Sequence, residues 1–267
     1  MTRWSDRQHA MLREMGLDLW AGVDPARSHV DLPAHSESTG TDLPGTVSVP
    51  TPATAGSPVV QAATTALASI EIAKMDWDAL RAAVSACMAC GLCAGRKNTV
   101  FGTGHRRARW MIVGEAPGEQ EDLRGEPFVG KSGQLLDRML AALQLTRADG
   151  AGPDRQVYIA NTLKCRPPAN RNPEPDEIAQ CEPYLVRQIE LVHPSVIVAM
   201  GRVAVQTLLR SGEPIGRLRG RVHRYGNVPL VVTYHPAYLL RNLQDKARTW
   251  EDLCLAREVA RAAPSAR

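Results

Sequence analysis

The sequence predicts an α/β fold, a parallel or mostly parallel sheet covered by helices, and three observations carry that prediction. Apolar runs of strand length alternate with helical patterns from about residue 109 onward, as they do where crossovers join parallel strands. The longest runs, such as Val196-Ile-Val-Ala-Met200, are strand-sized and far too short to span a bilayer. Finally, Gly114-Glu115, Asn161, Gly201 and His235 each stand just past the C-terminal end of a predicted strand. Open α/β sheets bind ligands along that edge, so four separate strands nominate one crevice.

Taken in order, residues 5–20 form a short amphipathic helix with Met11, Leu12, Met15, Leu17, Leu19 and Trp20 on or near one face. It reads as a weakly ordered tail or, as a minority reading, a docking motif for a protein partner. Residues 21–75 read as a low-complexity linker. No aromatic residue lies between Trp20 and Trp77, so the stretch has little with which to build a core. A domain is expected over residues 76–267. Asp76 is the expected N-cap of a helix over Trp77–Ala86 that delivers Cys87. A strand at Arg109–Gly114 leads through a Gly/Pro loop to a helix at Ser132–Gln144. A strand at Val157–Thr162 precedes a helix at Pro175–Val192, and one at Ser195–Met200 precedes a helix at Arg202–Leu209. A basic hairpin turning at Gly226-Asn227 ends in a strand at Leu230–Thr233, and a C-terminal helix starts at Pro236.

With 267 residues, 44% of them hydrophobic, the chain can bury one good-sized core. The opening Met1-Thr-Arg-Trp-Ser-Asp-Arg-Gln8 lacks an apolar signal region, so a soluble, cytoplasmic protein without membrane attachment is expected. Charge is uneven. Residues 1–74 hold five Lys/Arg and eight Asp/Glu, a net of −3, whereas residues 75–267 hold 27 and 20, a net of +7. The basic excess belongs to the folded part and permits a nucleic-acid partner.

Six cysteines in such a chain favour metal binding or free thiols over a disulfide framework. Cys87-x-x-Cys90-x-x-Cys93 has ferredoxin-like spacing, but the fourth cysteine of that run is missing nearby. Two pairs of thiolates would also suit zinc. Cys254 and Cys93 read as small buried hydrophobes; for Cys87, Cys90, Cys165 and Cys181 a metal centre is favoured. Gly125-Glu-Pro-Phe-Val-Gly130-Lys131-Ser132 matches the phosphate-binding P-loop pattern, yet no buried strand feeds it, which argues against a nucleotide hydrolase. His235 stands between a strand end and a Pro-started helix, facing the crevice. Asn161 can read a base edge with one donor and one acceptor. Phe128, in a polar loop, is either a packing residue or a stacking platform. Arg217, Arg219, Arg221 and Arg224 crowd the hairpin, as a solvated face or as a grip on phosphates.

Together, Gly114-Glu-Ala-Pro-Gly-Glu-Gln-Glu-Asp122, Pro127-Phe-Val-Gly130, Asn161, Lys164-Cys-Arg-Pro-Pro168 and His235-Pro-Ala-Tyr-Leu-Leu-Arg241 resemble the family 4 uracil-DNA glycosylases, from about Asp76 to about Ala256. The resemblance implies three α/β/α layers around a short, mostly parallel sheet. It implies a structural [4Fe–4S] cluster on Cys87, Cys90, Cys165 and Cys181, with Cys93 where the family need not have a cysteine. It implies a uracil pocket of Gly114, Glu115, Ala116 and Phe128, Asn161 on the uracil edge, and His235 on the charge developing at O2. Glu115 and Glu121 are candidates for orienting water or screening the C5 position. Residues 166–173 lack the histidine with which some relatives trap the abasic product, so ordinary turnover by a monomer on uracil-containing DNA is expected. Two rivals remain: a non-catalytic iron–sulfur module that binds DNA or senses redox state, and a glycosylase for another deaminated base.

Overall fold

Successive side chains of a strand point to opposite faces of its sheet, and the central strands use both faces for burial. A computed structural model describes residues 69–263; the expected helix over residues 5–20 and nearly all of the linker lie outside the described residues. In β2 (Trp110–Gly114), Met111 and Val113 join one apolar cluster, while Trp110 and Ile112 join another. In β4 (Val196–Met200), Ile197 and Ala199 divide in the same way from Val196, Val198 and Met200. Helices cover each cluster, which makes the three layers. On one side lie α1 (Trp77–Ser85), α4 (Pro175–Val192) and α5 (Arg202–Leu209); on the other lie α3 (Lys131–Ala142) and α8 (Asp245–Ala262).

The remaining strands are β1 (Thr103–Gly104), β3 (Tyr158–Asn161), β5 (Val222–Tyr225) and β6 (Val228–Thr233). The sheet runs β1-β3-β2-β4-β6-β5. Its four inner strands are parallel and its two edge strands antiparallel. From β2 the chain crosses first to β3 on one side and later to β4 on the other. The order therefore reverses between β2 and β4, and the carboxyl ends at such a reversal open a crevice.

Local chemistry sets several boundaries. The Asp76 carboxylate accepts from the Ala79 amide at 2.9 Å and starts α1 as the sequence predicts. The folded part begins before Asp76, however. Residues 69–74 are helical, Ile72 is buried with Trp77, and the Arg187 Nε donates to the Met75 carbonyl at 2.7 Å. The Gly/Pro loop after β2 contains a short helix, α2 (Glu119–Arg124). The helix from Pro236 is two helices, α7 (Pro236–Leu239) and α8, separated by a turn in which the Tyr238 hydroxyl donates to Asp245 at 2.8 Å. Turning there lets α8 recross the sheet and bury Trp250, Leu253 and Ala256.

The basic run also divides. Arg217 lies in α6 (Ile215–Leu218). Arg219 folds inward onto the buried Asp252 carboxylate at 3.0 Å. Arg224 sits near the hairpin tip, which precedes β6 and so lies at the opposite end of the sheet from His235. These arginines do not form one phosphate grip.

Candidate active site

A cavity of about 790 Å3 opens at the carboxyl ends of the parallel strands. It brings together Glu115 and Ala116 after β2, Asn161 at the end of β3, Gly201 after β4 and His235 after β6, with Glu121 and Phe128 from the segment between β2 and α3. Gly114 lies beneath. A Cβ there would overlap the Asn161 amide oxygen and the Phe128 ring, so this glycine acts by leaving room.

Phe128 is 4% exposed and holds a left-handed backbone, φ 55°, which is costly for an aromatic residue. Two contacts impose it. Gly133 lets α3 pack so close that a Cβ would overlap the Phe128 carbonyl, and Glu121 clamps the following residues. One Glu121 oxygen accepts from the Val129 and Gly130 amides at 2.9 and 3.0 Å, and the other from the Gly118 amide at 3.1 Å. The amides that a phosphate would occupy in a P-loop are thus taken by a carboxylate, and a helix precedes them instead of a strand. The next residue, Asp122, accepts from the Lys97 and Asn98 amides at 2.9 and 3.2 Å. Through these adjacent acids, α2 pins the Phe128 loop and the exit of the cysteine segment together.

The Phe128 ring stacks on His235, with centroids 5.3 Å apart and planes at 29°. His235 caps α7, its Nδ1 accepting from the Ala237 amide at 3.2 Å. That bond leaves the proton of the neutral ring on Nε2. Burial lowers the imidazole pKa to about 4, with Glu121 opposing and Arg241 reinforcing the shift, so His235 is a neutral hydrogen-bond donor at physiological pH. Asn161 is 2% exposed, and among the described residues its Oδ1 has no hydrogen-bond partner. A buried amide oxygen left unpaired is costly, and here it lines a cavity. Glu115 differs from Glu121 in being half-buried at the cavity wall. Burial pushes its carboxyl pKa up, against the pull of Arg202.

The cavity also holds residues that the sequence reading passed over. Arg202 and Arg241 are exposed at its mouth, Tyr234 lies beside His235, and Asn170 and Asn172 come from the loop after Cys165. Arg202 was within reach of that reading, because it follows Gly201 at a strand end. The left-handed backbones of Ala169 and Asn170 that shape the loop leave no mark in composition.

A second, smaller cavity gathers Cys87 from the end of α1, Cys90 and Cys93 from the next turn, Cys165 from the loop after β3 and Cys181 from α4. None of the described cysteines forms a disulfide, and Cys93, read from sequence as a packing residue, faces the same space. No three Cys, His, Asp or Glu among the described residues are grouped to hold a metal ion. The surroundings of the cysteines suit anionic sulfur. Arg96 donates to Cys165 Sγ at 3.2 Å and the Lys164 amide to Cys181 Sγ at 3.2 Å. As free thiols these groups resist ionising: burial raises the pKa of Cys90 and Cys165, and pushes that of Cys181 up to about 12. As thiolates, Cys87, Cys90, Cys165 and Cys181 could hold a metal centre, with the Arg96 guanidinium and the Lys164 main-chain amide already directed at two of the sulfurs.

Fold and site together define an α/β protein with a cavity at the carboxyl edge of its sheet, where an aromatic ring, an unpartnered amide oxygen and a neutral imidazole are brought together. Residues 101–254 match the family model described as the Uracil DNA glycosylase superfamily, and the chain belongs to that superfamily. It is 45% identical over 165 residues to the Type-4 uracil-DNA glycosylase of Archaeoglobus fulgidus, covering 59% of this chain and 79% of that protein. It is 43% identical over 190 residues to the Type-4 uracil-DNA glycosylase of Saccharolobus solfataricus, covering 68% and 85%. A Type-5 uracil-DNA glycosylase of Pyrobaculum aerophilum is 34% identical over 147 residues, covering 51% and 64%.

Proposed function

We propose that this protein removes uracil from DNA by hydrolysing its N-glycosidic bond, leaving an abasic site for base excision repair. The observation that carries this reading is the buried, unpartnered Asn161 oxygen beside the stacked Phe128 and His235 rings. Uracil is planar, with a donor at N3 flanked by two carbonyl acceptors. The amide oxygen of Asn161 accepts from N3–H and its NH2 donates to O4; cytosine, with donor and acceptor exchanged at that edge, leaves two buried groups unpaired. The base reaches this depth only after leaving the helix, and Phe128 supplies the face on which it stacks.

When the N1–C1′ bond breaks, its electron pair stays on uracil and spreads onto O2, while the sugar becomes oxocarbenium-like. The His235 Nε2–H donates to O2 and stabilises that charge without giving up its proton. Uracil departs as the anion. Water adds to C1′, and its proton passes to Glu115 or to solvent. Glu121 is assigned a different task from the one its position in the motif suggests: with both oxygens held by main-chain amides, it shapes the Phe128 loop. Arg202 and Arg241 flank the mouth and are assigned to phosphates on either side of the flipped nucleotide.

Cys87, Cys90, Cys165 and Cys181 would hold a [4Fe–4S] cluster, which supplies cross-linking and no electron to the hydrolysis. Among the described residues no helix is long and apolar enough to cross a membrane, and the proposed setting is cytoplasmic DNA, met by a monomer. The test is excision from an oligonucleotide bearing one uracil, followed by alkali. Scission at that site, abolished in folded Asn161→Ala and His235→Ala proteins, is expected. No scission on single- or double-stranded DNA by cluster-loaded protein would overturn the reading, and scission at hypoxanthine alone would transfer the pocket to another deaminated base.

A further inference from the structure

Lys164 takes no part in the hydrolysis, yet only 2% of it is exposed. Burying an ammonium group costs several kcal/mol unless it is paired and hydrogen-bonded. Its two acceptors are neutral: the Asn161 main-chain carbonyl at 2.8 Å and Gln188 Oε1 at 2.6 Å. Gln188 is itself fixed, its Nε2 donating to the Phe101 carbonyl at 2.8 Å and the Tyr158 hydroxyl at 3.0 Å. Negative charge for this cation can come from the cysteine cavity. Lys164 lines the cysteine cavity, precedes Cys165 in the chain and donates its amide to Cys181 Sγ. The lysine therefore lies between two sites: its main chain belongs to the cysteine cavity and its ammonium to the strand end that presents Asn161.

We propose that Lys164 is a positioning residue that couples the cysteine cavity to base reading. Thiolates of the bound cluster offset its buried charge, and the ammonium fixes the Asn161 main chain so that the side-chain amide meets the uracil edge. The inference rests on the cluster and on the Asn161 role assigned above. It gives the cluster a specific path to the pocket, through one side chain, in addition to general cross-linking of the fold.

The test is a double-mutant cycle on the whole protein, purified anaerobically: wild type, Lys164→Met, Asn161→Ala and the double variant. Iron per chain and the decay of visible absorbance under a chelator are followed alongside single-turnover uracil excision. Lys164→Met is expected to lose iron several-fold faster than wild type. Its excision rate should fall about tenfold when Asn161 is present and less than about twofold further when it is absent, because residues acting through one another are non-additive. Equal losses in both backgrounds, or wild-type iron retention in Lys164→Met, overturn the proposal. An Asn161→Ala protein with wild-type excision sinks the base-reading role itself, and the coupling with it. If Lys164→Met fails to fold by circular dichroism, Gln188→Met, which removes one acceptor and leaves the cation, carries the same cycle with smaller factors.

Discussion

The uracil crevice and the cysteine cavity share the segment from Asn161 to Cys165, but they are built in opposite ways. The crevice takes its parts from the ends of four strands and leaves polar groups waiting: the Asn161 oxygen without a partner, Glu115 half-buried, Arg202 and Arg241 exposed. The cysteine cavity takes its parts from two helices, a turn and a loop, and two of its sulfurs already receive donors from Arg96 and Lys164. A site for a transient ligand must tolerate unpaired groups between turnovers, whereas a site for a resident group does not empty. The crevice should therefore control rate with little effect on stability, and the cavity should control both.

The largest expected effects test that division directly. Asn161→Ala and His235→Ala should each cut single-turnover excision by about 10²–10³-fold, the scale of losing a preorganised donor, with Tm near wild type. Cys181→Ala should lower Tm by roughly 10 °C, since losing a structural metal centre removes folding energy outright, and its excision should fall with the folded fraction. A Cys181→Ala protein with normal Tm but no excision would break the comparison.

The two glutamates sharpen it on a finer scale. Glu121→Gln replaces an acceptor of three amides by a group with one oxygen, and should cost about 1–3 kcal/mol in denaturant unfolding. Glu115→Gln should leave stability nearly unchanged and lower kcat by about 10–100-fold, less than the roughly 10²–10⁴-fold usual for a general base because solvent also takes the proton.

The last effect concerns pH and appears only under acid conditions. With a folded pKa of about 4 against roughly 6.5 unfolded, His235 binds fewer protons in the native state than in the unfolded chain. Its penalty is absent above about pH 6.5 and grows as pH falls toward 4, reaching about 3 kcal/mol at most. Tm measured from pH 7.5 to 4.5 should fall less steeply in His235→Asn than in wild type. Excision that depends on the neutral ring should show no His235 step between pH 6 and 8; an ionisation of this histidine near 6.5 by NMR would refute the donor assignment.

Much of the crevice was legible because a strand's end is legible. An apolar run stops, a glycine or polar residue follows, and in a parallel sheet all such points face one edge. Gly114-Glu115, Asn161, Gly201 and His235 were readable in that way, and they do line or underlie one cavity. Where propensity and packing diverged, the sequence misled. The segment after Pro236 carries one helical pattern but makes two helices, because α8 must recross the sheet to bury Trp250. The four arginines from 217 to 224 read as one basic face, but the buried Asp252 draws Arg219 inward. Glu121 and Glu115 are alike in sequence and unlike in space, since only main-chain amides folded around a side chain reveal that it is occupied.

By itself the sequence determined the α/β class, the parallel central strands, the sheet edge at which the crevice opens and four of the five cysteines around the second cavity, because periodicity and residue chemistry are local properties. Tertiary structure alone decided which carboxylate is spoken for, why Phe128 must hold a left-handed backbone, that Cys93 joins the other cysteines, and that a buried lysine lies between the two sites. Each of these depends on atoms brought together by packing from distant parts of the chain, and neither spacing nor composition encodes such distances.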